Sequence, residues 1–364
     1  MVSFSNERWA RVRETSSSWF EKKLTRPFTG VAVKGYDPKR PMPQTPCLSQ
    51  STCNDFSLSP EALIDRIDYE ISQYRFYGDA FPSFNMDCFG PGVAAAFLGC
   101  GLDNSTGRVW FHPEKRIDIC ELSFTYDADN KYLKRIKDIY KAGMDRWQGN
   151  VIMGTADLGG IMDVLSSFFP GEELFYEMED HPKEVKRLLK EISVLWQTFY
   201  DELQSVLQPV NPGYTDWSGL YSDKPSYIIQ SDFSYMVGPA AFEEFIFSTI
   251  EDQCRRLDRT IYHLDGVGEL PHLDRLLSID SLDGIQWVPG AGNTPASSPE
   301  WTEIFEKVTK ADKLHFLPNG GIEGIERIAG VVGNPGRIYY PTMIFEKKDE
   351  AFAIEALKKL KIEP

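Results

Sequence analysis

The stretch "TIYHLDGVGELPHLDRLLSIDSLDGIQWVPGAGN", residues 260–293, carries the pattern on which the fold prediction depends. It contains two short apolar runs. The first ends in His263 and Asp265, two positions apart, and is followed by Gly266. The second ends in Trp287 and continues into a Pro-Gly-Ala-Gly loop. Short apolar runs that are bounded by glycine, proline or aspartate are typical of buried β-strands.

Similar runs recur along the whole chain and alternate with helical patterns. The strand-like runs are "MPQTPCLSQST", "DAFPSFNMD", "GNVIMGTAD", "PSYIIQSD", "TIYHLD", "DGIQWVPG", "KLHFLPNGG" and "GRIYYPTMI". Apolar residues at three- and four-residue spacing predict helices near 60–74, 133–147, 182–208, 239–257 and 350–361. About eight strand–helix units favour parallel strands with helical crossovers. We therefore predict an α/β chain with one (β/α)8 TIM barrel domain.

The barrel is expected to span residues 37–364, after a partly irregular N-terminal arm of residues 1–36. A doubly wound open sheet is the alternative, but no Gly-x-Gly-x-x-Gly motif follows an early strand. The six cysteines form no Cys-x-x-Cys pair and are expected to be free thiols.

Composition and charge narrow the classes of partner. The 364 residues are 42% hydrophobic and 26% charged, as in a soluble globular protein, and the net charge is -15. Such a field repels nucleic acid and anionic membrane, so neither is expected as a partner. No apolar run approaches the roughly 18 residues of a membrane span. The N-terminal stretch lacks the apolar core of a signal peptide, and a cytoplasmic location is expected.

Polar residues follow the predicted strands at their carboxyl ends, where the active sites of such barrels lie. Side chains two apart on a strand share a face, so His263 and Asp265 are expected to point together into the mouth. The alternative is a helix cap or a buried hydrogen-bonded pair that fixes the following loop. The other polar or aromatic residues at these ends are Asp87, Thr155, Asp157, Asp232, Trp287, Asn319, Tyr340 and Thr342.

Several segments together resemble the uroporphyrinogen decarboxylase superfamily, which contains decarboxylases and corrinoid-dependent methyltransferases on one barrel fold. They are "FNMDCFGPGVAAAFLGC", "DHPKEVKRLL", "FEEFIFSTIEDQCRRLDRTIYHLDG" and "GRIYYPTMI". The resemblance covers residues 37–364 and depends on the order and spacing of these segments.

One departure from the family separates the chain from true uroporphyrinogen decarboxylases. Those enzymes carry an Arg-Gln-Ala-Gly-Arg motif that grips the substrate carboxylates, and the matching segment here is "CLSQSTCND", residues 47–55. It keeps Gln50 but has no arginine, so we do not expect the chain to act on uroporphyrinogen. Asp87 matches the catalytic aspartate of the family. A decarboxylase of a smaller acid therefore stays open as an alternative.

A second departure concerns the metal site of the methyltransferases. Those enzymes bind zinc through a His-x-Cys pair and a further cysteine, whereas this chain has His263-Leu264-Asp265 and no cysteine in "IYYPTMI". Histidine and carboxylate are ordinary zinc ligands. The resemblance thus implies a modified site with His263 and Asp265 as metal ligands, to be completed by Asp232, Glu269 or Asp87.

The leading hypothesis is a transfer of a methyl group from a small O- or N-methyl donor to or from a corrinoid protein. His263, Asp265 and Asp87 are the expected catalytic residues. Aromatic side chains could hold the donor by stacking or cation–π contact, or could simply fill the barrel. The expected substrate-binding residues are Trp217, Tyr221, Asp232, Trp287, Asn319 and Tyr340.

The resemblance also implies a partner. The chain has no cobalamin-binding Asp-x-His-x-x-Gly motif, so the corrinoid must arrive on another protein. A homodimer is kept open as the assembly. A non-catalytic small-molecule-binding barrel is the third reading, because the cysteine ligands are missing.

Overall fold

The computed structural model describes residues 2–364, in which strands and helices alternate. The strands are β1 Gly30–Lys34, β2 Tyr74–Gly78, β3 Ser83–Phe84, β4 Cys100–Asp103, β5 Trp110–Pro113, β6 Ile152–Met153, β7 Ser226–Gln230, β8 Arg259–Asp265, β9 Gly284–Val288, β10 Leu314–Phe316, β11 Ile338–Tyr339 and β12 Met343–Glu346.

The helices lie mainly between these strands. They are α1 Asn6–Phe20, α2 Pro60–Ser72, α3 Ala94–Phe97, α4 Lys131–Trp147, α5 Ile161–Ser166, α6 Glu173–Asp180, α7 Pro182–Leu207, α8 Pro239–Ala241, α9 Phe247–Arg256, α10 Leu273–Leu277, α11 Thr302–Lys310, α12 Gly321–Val332 and α13 Glu350–Lys359. The five helices predicted from apolar spacing are confirmed to within a few residues at their ends. In the fourth, a π-helical turn over Phe242–Ile246 separates α8 from α9.

A five-stranded parallel sheet forms the centre of the molecule, in the order β11-β10-β9-β8-β7. All five residues of β7 are buried, which fits a strand that is covered on both faces. Helices α9 and α11 pack against β7 and β10. The predicted α/β class with parallel strands and helical crossovers is therefore confirmed.

The predicted closure into an eight-stranded barrel is not seen in the strand pairing of residues 2–364. The remaining strands form three smaller sheets, with the orders β12-β1-β2, β3-β6 and β4-β5. The pair β3-β6 is parallel, whereas β4 and β5 form an antiparallel hairpin and β2 runs antiparallel to β1. The chain is thus a mixed α/β structure.

The first predicted strand, "MPQTPCLSQST", is wrong, because this segment forms bends and turns. Its prolines provide no N–H group for a sheet. The Thr52 hydroxyl donates to the carbonyl oxygen of Cys47 (2.7 Å), and the Thr52 N–H donates to the carbonyl oxygen of Ser49 (3.0 Å). These local hydrogen bonds satisfy the backbone within the loop. The strands β1 and β2, which do form, were not predicted.

The N-terminal arm is more regular than expected and packs into the core. Trp9 and Trp19 of α1 are buried in a second apolar cluster that includes Phe28, Tyr221 and Tyr339. Phe28 also pairs with Tyr339 in a parallel bridge. The boundary near residue 37 stays a prediction, since this packing joins the arm to β11.

The structure also bears on the state of the cysteines and on membrane-spanning helices. All six cysteines are free thiols, as predicted. No helix within residues 2–364 has both the length and the apolar character that crossing a membrane requires.

A hydrogen bond between α1 and a distant loop provides a test of the arm's role. The buried Ser16 hydroxyl donates to the carbonyl oxygen of Tyr221 (2.7 Å). We expect Ser16→Ala to lower the free energy of unfolding by about 1–2 kcal/mol, because the carbonyl loses its partner. Urea denaturation measures the change, and Ser17→Ala, on a less buried side of α1, is the matched control. Equal effects of the two variants would contradict this role.

Candidate active site

Three side chains meet at the carboxyl ends of β7 and β8. The potential ligand atoms of Asp232, His263 and Asp265 all lie within 4.8 Å of one another. The Nε2 atom of His263 is 3.8 Å from Oδ2 of Asp265. We call this group the acidic triad. Two carboxylates and an imidazole at such distances are a plausible donor set for a divalent metal ion.

The strand geometry explains why these residues meet. Along β8, Tyr262 and Leu264 are buried, whereas the alternate residues His263 and Asp265 are partly exposed. Asp232 begins a short 3-10 helix, Asp232–Met236, two residues after β7 ends. Because neighbouring parallel strands end at the same edge, this turn places Asp232 beside the end of β8. The expectation that His263 and Asp265 point together agrees with their distance.

Gln286 of β9 fixes the orientation of the His263 ring. The two residues are paired in the register of β8 and β9, and the Nδ1 atom of His263 is hydrogen-bonded to Oε1 of Gln286. An amide oxygen accepts, so Nδ1 carries the proton and Nε2 presents its lone pair to the two aspartates. Trp217 packs edge-on against the ring, at 5.1 Å between centroids. The imidazole is therefore held in the tautomer that binds metal.

Two acids, the partly buried Asp163 and the buried Glu269, hold the backbone of the triad aspartates. Asp163 accepts the N–H groups of Asp232 (3.0 Å) and Phe233 (2.8 Å). Glu269 accepts the N–H of Asp265 (3.3 Å) and the hydroxyl of Tyr262 (2.9 Å). Each acid accepts two hydrogen bonds, one on each carboxylate oxygen. These bonds hold in place the turn after β7, which carries Asp232, and the end of β8, which carries Asp265.

The concentration of acids changes the protonation of the site. Burial raises the pKa of Asp163 to about 7, with the charge of Asp232 adding to the effect. Burial likewise raises the pKa of Glu269 to about 9. Asp232 is open to solvent on one side, but desolvation by the strand ends raises its pKa; the nearby His263 lowers it and Asp265 raises it. A cation at the triad would relieve this repulsion.

A cavity of about 600 Å³ adjoins the triad at Asp232. It lies between the end of β7 and the β4–β5 hairpin. Neither His263 nor Asp265 lines it, so Asp232 is the triad residue through which the cavity and the triad meet. The lining residues are Gln50, Pro91, Gly92, Arg108, Val109, Trp110, Phe111, His112, Gly159, Asp163, Ser166, Ser167, Pro170, Gly171, Gln230, Asp232, Phe233 and Met236.

The structure does not bring Asp87 to the triad. Asp87 begins a 3-10 helix after β3, and desolvation by the surrounding residues raises its pKa. It lies outside the lining of the 600 Å³ cavity. Its catalytic role stays a prediction.

The predicted aromatic contacts lie in different parts of the molecule. Trp217 reaches the site through its contact with His263. Tyr221 is fully buried and packs against Trp9 and Phe81, and its hydroxyl donates to the carbonyl oxygen of Pro212 (2.8 Å). It belongs to the core because its ring packs between α1 of the arm and the segment that joins β2 to β3.

Three further predicted contact residues lie in β9 and in loops: Trp287 belongs to β9, and Asn319 and Tyr340 follow β10 and β11. Trp287 is almost fully buried and packs edge-on against Trp301. Asn319 is exposed, and its Oδ1 accepts the N–H of Ala296 (3.0 Å). The Tyr340 hydroxyl accepts the N–H of Gly321 (2.9 Å). Their visible contacts are structural, and their role in substrate binding stays a prediction.

Sequence reasoning missed the residues that support the triad. Gln286 could have been found by aligning "TIYHLD" with "DGIQWVPG" as neighbouring parallel strands, which sets it beside His263. The contact of Asp163 with the turn at Asp232 could not be found by aligning strands, because Asp163 lies on the helix α5. Glu269 was considered only as a ligand. Its burial behind Asp265 depends on the 3-10 turn over Val267–His272.

The Gln286 contact leads to a testable expectation for metal affinity. We expect Gln286→Met to weaken zinc binding by roughly 10–100-fold, since the His263 ring loses the acceptor that fixes its tautomer. Competition with a coloured chelator measures the affinity. Gln197→Met, on the exposed side of α7, is the matched control. Unchanged zinc affinity in a folded Gln286→Met variant would show that the contact does not support metal binding.

Comparison with known proteins provides one informative structural relative. A methyltransferase from Methanosarcina mazei superposes with a TM-score of 0.57 over 96% of this chain and 98% of that chain, at 12% sequence identity. No protein-family model and no curated protein matches the sequence. At this identity the likeness establishes a shared fold over nearly the full length.

Proposed function

We propose that the chain is a methyltransferase that moves a methyl group from a small O- or N-methyl donor to or from a corrinoid protein. The acidic triad is the observation that carries the proposal, because it places a metal-competent imidazole beside a cavity of suitable size for a small molecule. The fold shared with a methyltransferase is consistent with it.

We also propose that the strands approximate a (β/α)8 barrel of the uroporphyrinogen decarboxylase superfamily. Contacts beyond the five-stranded sheet support this closure. The Phe28 N–H donates to the carbonyl oxygen of Ile338 (2.9 Å), the first residue of β11. The Thr155 N–H donates to the carbonyl oxygen of Thr215 (2.8 Å), which links the segment after β6 to the one before β7.

The donor atoms of the triad fit a zinc ion. Nε2 of His263 is unprotonated in the tautomer that Gln286 favours, and both aspartates are hard oxygen ligands. Three protein ligands leave a coordination position for substrate, as in catalytic zinc sites. When bound, zinc would supply Lewis-acid polarisation of the substrate heteroatom.

The residues of the chain then have separate roles in the reaction. Breaking the bond between methyl carbon and heteroatom leaves the electron pair on the heteroatom, while the corrinoid partner supplies the pair for the new bond. The departing group therefore needs charge stabilisation or a proton. Without metal, His263 between two carboxylates could hold that proton at Nε2. Trp217 and Gln286 keep the ring oriented in either case.

The proposal is tested with free cob(I)alamin as the methyl acceptor. Zinc-loaded protein is mixed with reduced cobalamin and either anisole or tetramethylammonium, and absorbance reports the loss of the cobalt(I) state. We expect methylation with zinc-loaded protein; its loss after chelation assigns the polarising role to zinc, whereas activity that survives chelation assigns it to the proton at Nε2 of His263. A protein that binds zinc and a donor yet never methylates cobalamin, alone or with a corrinoid protein from a neighbouring gene, would favour the non-catalytic reading.

The raised pKa values of Asp232 and Asp87 favour a decarboxylase of a small acid as the second candidate. Loss of carbon dioxide leaves an electron pair on carbon, and a carboxyl group with a raised pKa is a suitable proton donor to that carbon. Release of carbon dioxide from a small acid without any corrinoid would distinguish this candidate from methyl transfer.

A further inference from the structure

The cavity beside the triad has a cationic wall as well as an acidic one. The β4–β5 hairpin contributes Arg108 to the lining, whereas the end of β7 contributes Asp232. Arg108 is exposed, and its guanidinium forms no hydrogen bond or ion pair with any of residues 2–364. Other exposed arginines, such as Arg256, also lack an acidic partner, but Arg108 is the arginine that lines the cavity beside the triad. Its position on a cavity wall leaves its donors available to a ligand.

We propose that the cavity binds a substrate with a single carboxylate, which Arg108 holds while the reacting group faces the acidic triad. This inference rests on the proposed function and names its substrate class. A guanidinium presents parallel N–H donors that match the two oxygens of a carboxylate. Gln50 also lines the cavity, and its Oε1 accepts the N–H of Val109 (3.2 Å), the residue next to Arg108, so its NH2 group remains as a further donor.

The cavity wall that carries Asp232 is acidic, and its negative charge limits the substrate to one carboxylate. Asp163 uses both oxygens on backbone N–H groups, and Asp232 faces the cavity. A zinc ion at the triad would already have its charge neutralised by Asp232 and Asp265, so a second carboxylate near these acids would meet no net positive charge, and the net charge of -15 opposes it further. The substrate is therefore a monoacid.

Aromatic side chains indicate the nature of the substrate body. Trp110 and Phe111 of the hairpin and Phe233 after β7 all line the cavity. Trp110 is 58% exposed, which is unusual for an unpaired indole, whereas Phe233 is buried and stacks on Phe175. Flat apolar groups between these side chains gain contact area and ring stacking. A small acid with an aromatic body fits both the cationic wall and these rings.

Binding of four benzene derivatives to the full chain tests the inference by calorimetry. Benzoate, benzamide, benzylamine and terephthalate share one ring and differ in charge. We expect benzoate to bind most tightly, and Arg108→Gln to weaken it by roughly tenfold or more, as for the loss of a charge-assisted hydrogen bond. Benzamide should bind both proteins equally. Arg256→Gln is the matched control, because Arg256 is also exposed and lines a different cavity.

Each other outcome overturns the inference. No measurable benzoate binding, an Arg108→Gln variant with unchanged benzoate affinity, or tighter binding of benzylamine would exclude the carboxylate role. Tighter binding of terephthalate would exclude the restriction to one charge. Melting temperatures confirm that the variants fold. The assay contains neither corrinoid nor methyl donor, so benzoate binding without methyl transfer refutes only the proposed function. Transfer from neutral donors without benzoate binding refutes only this inference.

Discussion

Substitution of His263 by alanine should abolish zinc binding and reduce methyl transfer by roughly a thousandfold or more. Nε2 of His263 is the only nitrogen donor of the triad, and two aspartates alone form a weak zinc site. Zinc polarisation is worth several kcal/mol of transition-state stabilisation, and each 1.4 kcal/mol is about a factor of ten in rate. Zinc content by elemental analysis and the cobalamin assay measure the two effects.

Two additional variants make this result specific. His181→Ala removes an exposed histidine that contacts Glu177 on the helical surface, and it should change neither quantity. Asp265→Asn keeps the volume of a partly exposed ligand and should weaken zinc binding without unfolding the chain. Zinc should also raise the melting temperature of the wild-type protein, and His263→Ala should lose this increase. Full transfer activity in a folded, zinc-free His263→Ala protein would exclude both the metal role and the proton role.

The fold could be predicted from sequence where the pattern is local. The strands β7 to β10 are short runs rich in β-branched and aromatic residues, and the helix α7 has an apolar face with regular spacing. The way in which the remaining strands and the N-terminal arm join this sheet could not be predicted from local patterns. It depends on long-range contacts such as that between Phe28 and Tyr339, and neither residue's local pattern reveals its partner. The segment around Gln50 was wrongly predicted as a strand because its apolar and polar residues resemble those of a strand. Its prolines prevent a strand from forming.

The candidate site was predicted to the extent that strand periodicity determines it. The spacing of His263 and Asp265 places both on one face, and both lie where parallel strands end. Asp232 was named as a contact, and the structure brings it to the same point. The sequence did not reveal the other parts of the site. The position of Gln286 depends on strand register, that of Asp163 on the helix α5, and that of Arg108 on the antiparallel β4–β5 hairpin. Sequence periodicity does not encode these relations between separate elements.

A further buried acid, Asp157, connects the charge of the site to the stability of the fold. Asp157 is fully enclosed, and it accepts the N–H of Gly159 (3.0 Å) and the hydroxyl of Tyr227 (3.3 Å). Burial raises its pKa from 3.8 to about 8, with the negative charges of Asp232 and Asp216 adding to the effect. The folded protein therefore keeps a proton on Asp157 at neutral pH, whereas the unfolded chain does not.

This difference predicts that the metal-free protein loses stability as the pH rises. Below about pH 4 both states are protonated and Asp157 has no effect; between about pH 4 and pH 8 the unfolded chain releases the proton and unfolding becomes more favourable. The loss attributable to this group between about pH 5 and pH 8 is on the order of a few kcal/mol. Asp157→Asn keeps an acceptor oxygen but cannot ionise, so its free energy of unfolding should exceed that of the wild type at pH 8 and approach it near pH 5. Urea denaturation with chelator present measures both proteins, and Asp258→Asn, an exposed position, is the control. Parallel pH profiles for Asp157→Asn and the wild type would show that Asp157 is ionised in the folded state.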